Sequence, residues 1–160
     1  MLVFDRPVAS LPGQERIVRN AHGGQVFIHA TADETAGALG MWETFSPPGA
    51  GPHWHTHTRE TEAFRVIAGR YRFWCGKDEI VCETGATITL PPHVPHRWQN
   101  ISDEEERMLA IVTPGGFEAL FVELQRRGAE TAAEIHAIER SLGIVDSELG
   151  DSASHGVRSG

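Results

Sequence analysis

The sequence predicts an all-β barrel or sandwich followed by two short α-helices, and three observations predict it. Pro and Gly punctuate the first three quarters at short intervals, as in Pro12-Gly13, Gly23-Gly24, Pro47-Pro48-Gly49, Pro91-Pro92 and Pro114-Gly115-Gly116. Between them lie short runs rich in β-branched and aromatic residues, the composition of strands. After Pro114 the apolar repeat lengthens from every second residue to every third or fourth, the step of a helix.

The strand runs follow one another as "QVFIHA", "GALGMWETF", "AFRVIAG", "RYRFWC", "ATITL", "HRWQN" and "RMLAIV". Many short strands at this spacing suit a closed or doubled sheet, because closure removes edges open to other chains. In "EAFRVIAG", alternation places Glu62, Phe64 and Val66 on one face and Arg65 on the other. Glu62 therefore points inward. An ionised carboxylate in an apolar interior is costly unless it is paired or coordinated. In "GFEALFVELQRRG", Phe117, Leu120, Phe121 and Leu124 form one helical stripe, with Arg126-Arg127 near the end and Gly128 as the stop. "ETAAEIHAIERSLG" repeats the pattern with Ala132, Ile135, Ile138 and Leu142, closed by Gly143; His136 reads there as a surface histidine.

The reading is a single domain over 1–146, with a barrel over about 15–113 and helices over about 117–127 and 130–142 packed outside it. The polar segment past Ile144-Val145, taken as a 147–160 tail that includes His155, reads as disordered.

The chain has 160 residues, 40% of them apolar, and a net charge of -8 from Asp+Glu 22 against Lys+Arg 14. Such a length closes one core without disulfides. The acidic surface repels phosphate backbones and no basic stripe offsets it, so no nucleic-acid partner is expected. The run Asp103-Glu104-Glu105-Glu106 reads as a solvated turn. No apolar run approaches the roughly 20 residues that span a bilayer, so no membrane partner is expected either. "MLVFDRPVAS" lacks the charge and apolar core of a secretion signal. Cys75 and Cys82 read as ordinary thiols on paired strands, which fits a reducing cytoplasm.

Chemistry concentrates in "GAGPHWHTHTRETEAFRVIAG". On a strand, His53, His55 and His57 of "HWHTH" fall on one face, close enough for two imidazoles to share an ion. The turn "TRET" then leads to the inward Glu62, with Arg59 and Glu60 facing solvent and Glu60 as a competing carboxylate. A metal held by His55, His57 and Glu62 removes the cost of burying that carboxylate.

The spacing Gly49-x5-His55-x-His57-x4-Glu62-x6-Gly69 matches the first signature of the cupins at every fixed position. The second signature follows as Gly85-x5-Pro91-x4-His96-x3-Asn100, departing once with His93 where the family has glycine. From this chain's own residue frequencies, chance yields the first pattern on the order of 1 time in 2,000. The chain thus resembles small single-domain cupins over about 36–114, and "TPGGFEALFVEL" is similar to the segment that follows the barrel in quercetinase-like members. The resemblance implies a double-stranded β-helix, or jelly roll, in a homodimer. It implies that His55, His57, Glu62 and His96 bind one divalent transition metal, Fe, Mn, Ni, Co, Cu or Zn. Asn100 takes a structural role near the turn that precedes it. His53 is either an acid/base or substrate contact at the pocket mouth or a rim histidine, and His93 reads as exposed. Trp42, Trp74 and Trp98 read as packing.

Three imidazoles and one carboxylate leave open positions on such an ion, the mark of a catalytic site. The sequence holds no phosphate loop, nucleotide fingerprint or G-x-S-x-G elbow. The first expectation is therefore a metal-dependent dioxygenase acting on a small aromatic or enolic molecule, with Glu62 as base. The second is a non-redox lyase, isomerase or cyclase in which a nearby histidine such as His53 shuttles protons. The third is a small-ligand-binding module without turnover.

Overall fold

A computed structural model of the protein describes residues 3–20 and 23–147. The strands run in chain order as β1 (Arg16–Arg19), β2 (Gln25–Ala30), β3 (Gly40–Ser46), β4 (His55–His57), β5 (Thr61–Ala68), β6 (Arg70–Cys75), β7 (Asp78–Glu83), β8 (Thr87–Leu90), β9 (His96–Asn100) and β10 (Glu106–Thr113). Helices α1 (Ala119–Arg127) and α2 (Ala132–Ser141) follow, and β11 (Ile144–Asp146) ends the described chain. Two antiparallel sheets, ordered β1-β2-β3-β10-β5-β8 and β11-β4-β9-β6-β7, share one core, which makes the protein a mostly β jelly roll.

Period-two burial builds that core. In β5, Glu62, Phe64 and Val66 are buried while Arg65 is exposed, and β3 buries Trp42 and Thr44 on alternate positions. Between them in the same sheet β10 contributes Met108, Ala110 and Val112, and from the other sheet β6 contributes Tyr71 and Phe73. Each large apolar side chain so buried stabilises the fold by about 1.5–3 kcal/mol. Strand β7 is the exception, with only Cys82 buried and Ile80 and Val81 exposed at the sheet edge. Cys75 and Cys82 are both free.

The helices are locally encoded. Gly128 ends α1 in the left-handed region at φ 61°, and its N–H donates to Gln125 and Leu124 carbonyls. Thr131 and Glu134 form a reciprocal capping box at the start of α2. Both helices lie outside the sheets, and α1 turns Leu120, Phe121 and Leu124 toward the core. Glu118 ties its start to the barrel, accepting the N–H groups of Ala32 at 2.5 Å and Gly116 at 2.9 Å. No helix among the described residues is long and apolar enough to cross a membrane.

Asp146 and Ser147, the first residues past Ile144-Val145, belong to the paired structure. Asp146 closes β11, which pairs antiparallel with β4, and Ser147 N–H donates to the Trp54 carbonyl at 3.1 Å. These polar residues are held because β4 has an open edge to complete, a long-range demand that composition does not carry. Residues 148–160, including His155, lie outside the described residues.

Candidate metal centre

The two short strands β4 and β9 lie side by side with His55 opposite His96, and β4 also carries His57. Glu62 reaches the same point from β5 in the other sheet, so the cage bridges both layers. One ligand atom from each of His55, His57, Glu62 and His96 lies within 4.8 Å of the others. All four side chains are buried.

Tautomers are set by the backbone. His55 Nδ1 lies 2.9 Å from the His53 carbonyl, and His96 Nδ1 lies 2.9 Å from the Val94 carbonyl. A carbonyl can only accept, so both Nδ1 atoms carry the proton and both Nε2 atoms keep a lone pair for the cage. His96 Nε2 stands 3.4 Å and His57 Nε2 3.7 Å from Glu62 Oε2. Neither of these Nε2 atoms has a hydrogen-bond partner, although both are buried. Buried polar atoms without partners are rare, and a cation answers three lone pairs and a carboxylate together. The residues present therefore fit a divalent transition metal as an N3O set.

Electrostatics agree with that fit. Burial, then the neighbouring imidazoles of His96 and His57, push the His55 pKa well below its ordinary value. Burial acts on His57 in the same direction, but the carboxylates of Glu62, Glu60 and Glu139 outweigh it and raise its pKa. Glu60 is the surprise. It is 1% exposed rather than solvent-facing, with Oε2 at 3.4 Å from His57 Nδ1. That position sets a carboxylate against the outer nitrogen of His57 while Nε2 faces Glu62. The sequence signal for Glu60 was its three-residue spacing from His57, which a polar turn obscured. Arg59 is exposed as expected.

The two signatures show their physical content. Gly69, which closes the first, and Gly85, which opens the second, sit at φ 93° and 91°, where a side chain is strained. His93, the one departure, also holds a left-handed φ of 65°, which explains why glycine suits this position. His93 is exposed, and its N–H donates to the His57 carbonyl at 2.8 Å, fastening the turn before His96 to β4. Asn100 is buried and fully used. Its Nδ2 donates to the carbonyls of Ser46, Pro47 and Glu104 at 2.8, 3.2 and 2.8 Å, and its Oδ1 accepts the Ser102 N–H at 2.8 Å.

Beside the cage lies a cavity of about 40 Å³, room for a few waters. Trp42, Phe64, Trp98, Phe117, Leu120 and Phe121 wall it, with Asn20, Thr44 and Glu139 as polar groups beside the ligands His55 and Glu62. Trp42 and Trp98 thus pack the core and face the cavity at once. Trp74 lies elsewhere, under Arg97 with its indole N–H donating to Glu79. A larger groove of about 600 Å³ runs between β1 and the α1–α2 connection, but it contains no histidine or cysteine. His53 turns away from the cage. Its Nε2 lies 3.0 Å from Asp146 and 3.5 Å from Glu139, and its ring packs against His136 at 4.6 Å. His136, expected on the open surface, is half-buried in this group.

Residues 42–112 match the family model described as cupin domain. No curated protein sequence matches the chain. Among solved structures, an RmlC-like cupin from Shewanella frigidimarina superposes with a TM-score of 0.61 at 18% identity, covering 71% of this chain and 96% of that one. KdgF from Halomonas sp. gives 0.63 at 15% identity, covering 71% and 99%. The Streptomyces protein Pac13, described as a nucleoside dehydratase, gives 0.57 at 15% identity, covering 71% and 88%. Similarity at that level establishes the fold, and the matched residues contain the whole histidine and glutamate cage. This chain carries a small cupin domain.

Proposed function

We propose that the protein is a metal-dependent enzyme acting on a small aromatic or enolic molecule, in the first instance as a dioxygenase. One observation carries the reading: an N3O cage with unpartnered Nε2 atoms opens onto a cavity walled by Trp42, Phe64, Trp98, Phe117 and Phe121. Aromatic walls favour a flat apolar substrate by stacking and exclude water from it. A bound ion supplies positive charge that polarises a substrate oxygen and, when redox-active, exchanges electrons with O2. His55, His57, Glu62 and His96 hold it, and Glu62 doubles as the nearest base for a substrate proton. The free space is small, so Phe117 and Phe121 at the helical side must shift to admit an aromatic ring.

A second reading, a non-redox lyase, isomerase or cyclase, draws on Glu139. Burial, then the nearby Asp146, raises its pKa to about 7, so a proton-donating carboxyl stands in the cavity wall. The dehydratase description of Pac13 suits this chemistry. Tag-free protein loaded with Fe(II), Mn(II), Ni(II), Co(II), Cu(II) or Zn(II) and offered enols, catechols and flavonols separates these readings. O2 uptake that tracks substrate loss supports the dioxygenase. Turnover that persists under nitrogen supports the lyase, and binding without turnover leaves a ligand-binding module. The substrate is a small molecule in each case. We assign a homodimer joined by sheet edges, with exposed Ile17 on β1 and Ile80 and Val81 on β7 as available apolar contacts. A monomeric mass by light scattering at micromolar concentration overturns it.

A further inference from the structure

We propose that His53, His136, Glu139 and Asp146 form a second divalent-metal site, which clamps α2 and β11 against the mouth of the barrel. One ligand atom from each of these residues lies within 4.8 Å of the others. They come from three segments: His53 from the loop before β4, His136 and Glu139 from one face of α2, and Asp146 from the end of β11. The i, i+3 spacing of His136 and Glu139 brings an imidazole and a carboxylate together on a helix, which pre-forms half of the site.

The separations suit an ion. His53 Nε2 stands 3.0 Å from Asp146 Oδ1 and 3.5 Å from Glu139 Oε2, and His136 Nδ1 stands 3.3 Å from Asp146 Oδ2. Donors bonded to one zinc at about 2.0–2.1 Å in a tetrahedron lie about 3.4 Å apart. The pair set is thus close to the edges of such a polyhedron, and two imidazoles with two carboxylates suit zinc, cobalt and nickel.

Ordinary ion pairing leaves too much unanswered here. Glu139 is 6% exposed, and its Oε2 is buried with no hydrogen-bond partner, while His53 Nε2 faces Asp146 at 3.0 Å without hydrogen-bond geometry. The two carboxylates repel one another, and the nearest fixed cation, Arg140, reaches only Asp146, at 3.9 Å, from an exposed position. A divalent ion gives the orphaned atoms a partner and offsets the repulsion at once. It also has a mechanical effect. Asp146 pairs with His55 across β11 and β4, and Glu139 lines the cavity, so an ion at this point ties the closing helix to the strand that carries the cage.

The site shares Glu139 with the non-redox reading above but not the cage ligands, and metal counting, which needs no turnover, keeps the two apart. Tag-free full-length protein is stripped with chelator, dialysed against Zn(II), and its zinc per chain measured by mass spectrometry. Wild type is expected to hold two ions. His136→Ala with Asp146→Asn holds one, and so does His57→Ala with His96→Ala; zinc affinity at the altered site falls at least 100-fold. If the cage is empty, wild type holds one ion and loses it only in the His136→Ala, Asp146→Asn protein. One ion in wild type that survives those two changes overturns the second site, as do two ions that both survive them. Asp146→Asn alone, at a half-exposed position, gives a folded control. In the His57→Ala, His96→Ala background zinc should raise the Tm, and Asp146→Asn should abolish that rise; a rise that persists also overturns the proposal.

Discussion

Glu60→Gln removes the charge of Glu60 and keeps its size. The wild-type carboxylate is 1% exposed and lies 3.4 Å from His57 Nδ1, so the change opens no cavity and acts on that contact. A negative charge 3.4 Å away favours the proton on Nδ1, which leaves Nε2 a stronger base toward an ion. Outer partners of this kind carry about 10–100-fold in metal affinity, or about 1.4–2.7 kcal/mol. The same carboxylate also helps to raise the His57 pKa, so in wild type the proton competes harder with the ion. At alkaline pH, where His57 is neutral in both proteins, the deficit of the Gln protein is complete. As pH falls, wild-type His57, whose pKa the carboxylates raise, takes up its proton first, wild-type affinity falls faster, and the gap narrows. Competition against a chromophoric chelator across this pH range measures this, in a His136→Ala background so that only the cage ion is counted. Equal affinities at alkaline pH, or a gap that widens as pH falls, would refute the assignment of Glu60 as the group that orients His57.

Three further outcomes are expected. His57→Ala and His96→Ala should each lower cage occupancy well below half, whereas His93→Ala should leave it intact, as counted by metal analysis; metal loss from His93→Ala contradicts its exposed position. Asn100→Ala removes four hydrogen bonds at a buried position, so urea unfolding of the metal-free protein should show a loss of about 2–4 kcal/mol; a loss under about 1 kcal/mol speaks against the Asn100 junction. Glu139 has a folded pKa of about 7 against an ordinary 4.5, so the folded state keeps a proton that the unfolded chain releases, and its contribution to stability falls as pH rises between those values. In chelator, Glu139→Gln should therefore be more stable than wild type by about 1–3 kcal/mol at pH 8, with the difference vanishing by pH 4.5; a constant difference across that range refutes the raised pKa.

The sheet-rich fold and the ligand spacing are legible in the sequence because both are local. Alternation along one strand decides that Glu62 shares a face with Phe64 and Val66, and the same alternation puts His55 and His57 on one side of β4. The glycines of the two signatures are legible for a similar reason, since backbone conformation is a property of each residue and its immediate neighbours. The surroundings of those groups come from long-range packing. It carried Glu62 from one sheet to three histidines on the other, and it fixed the histidine tautomers through the carbonyls of His53 and Val94. Glu60 lies in a polar turn that composition assigns to solvent. It is buried beside a turn that the α2–β11 junction fastens, where Thr58 N–H and Oγ1 both donate to the Gly143 carbonyl from 85 residues away. His53 and His136 likewise gain their setting from Asp146, which β11 places opposite His55. Periodicity and backbone preference are written residue by residue, whereas burial and charge neighbours depend on which distant segment closes over a site.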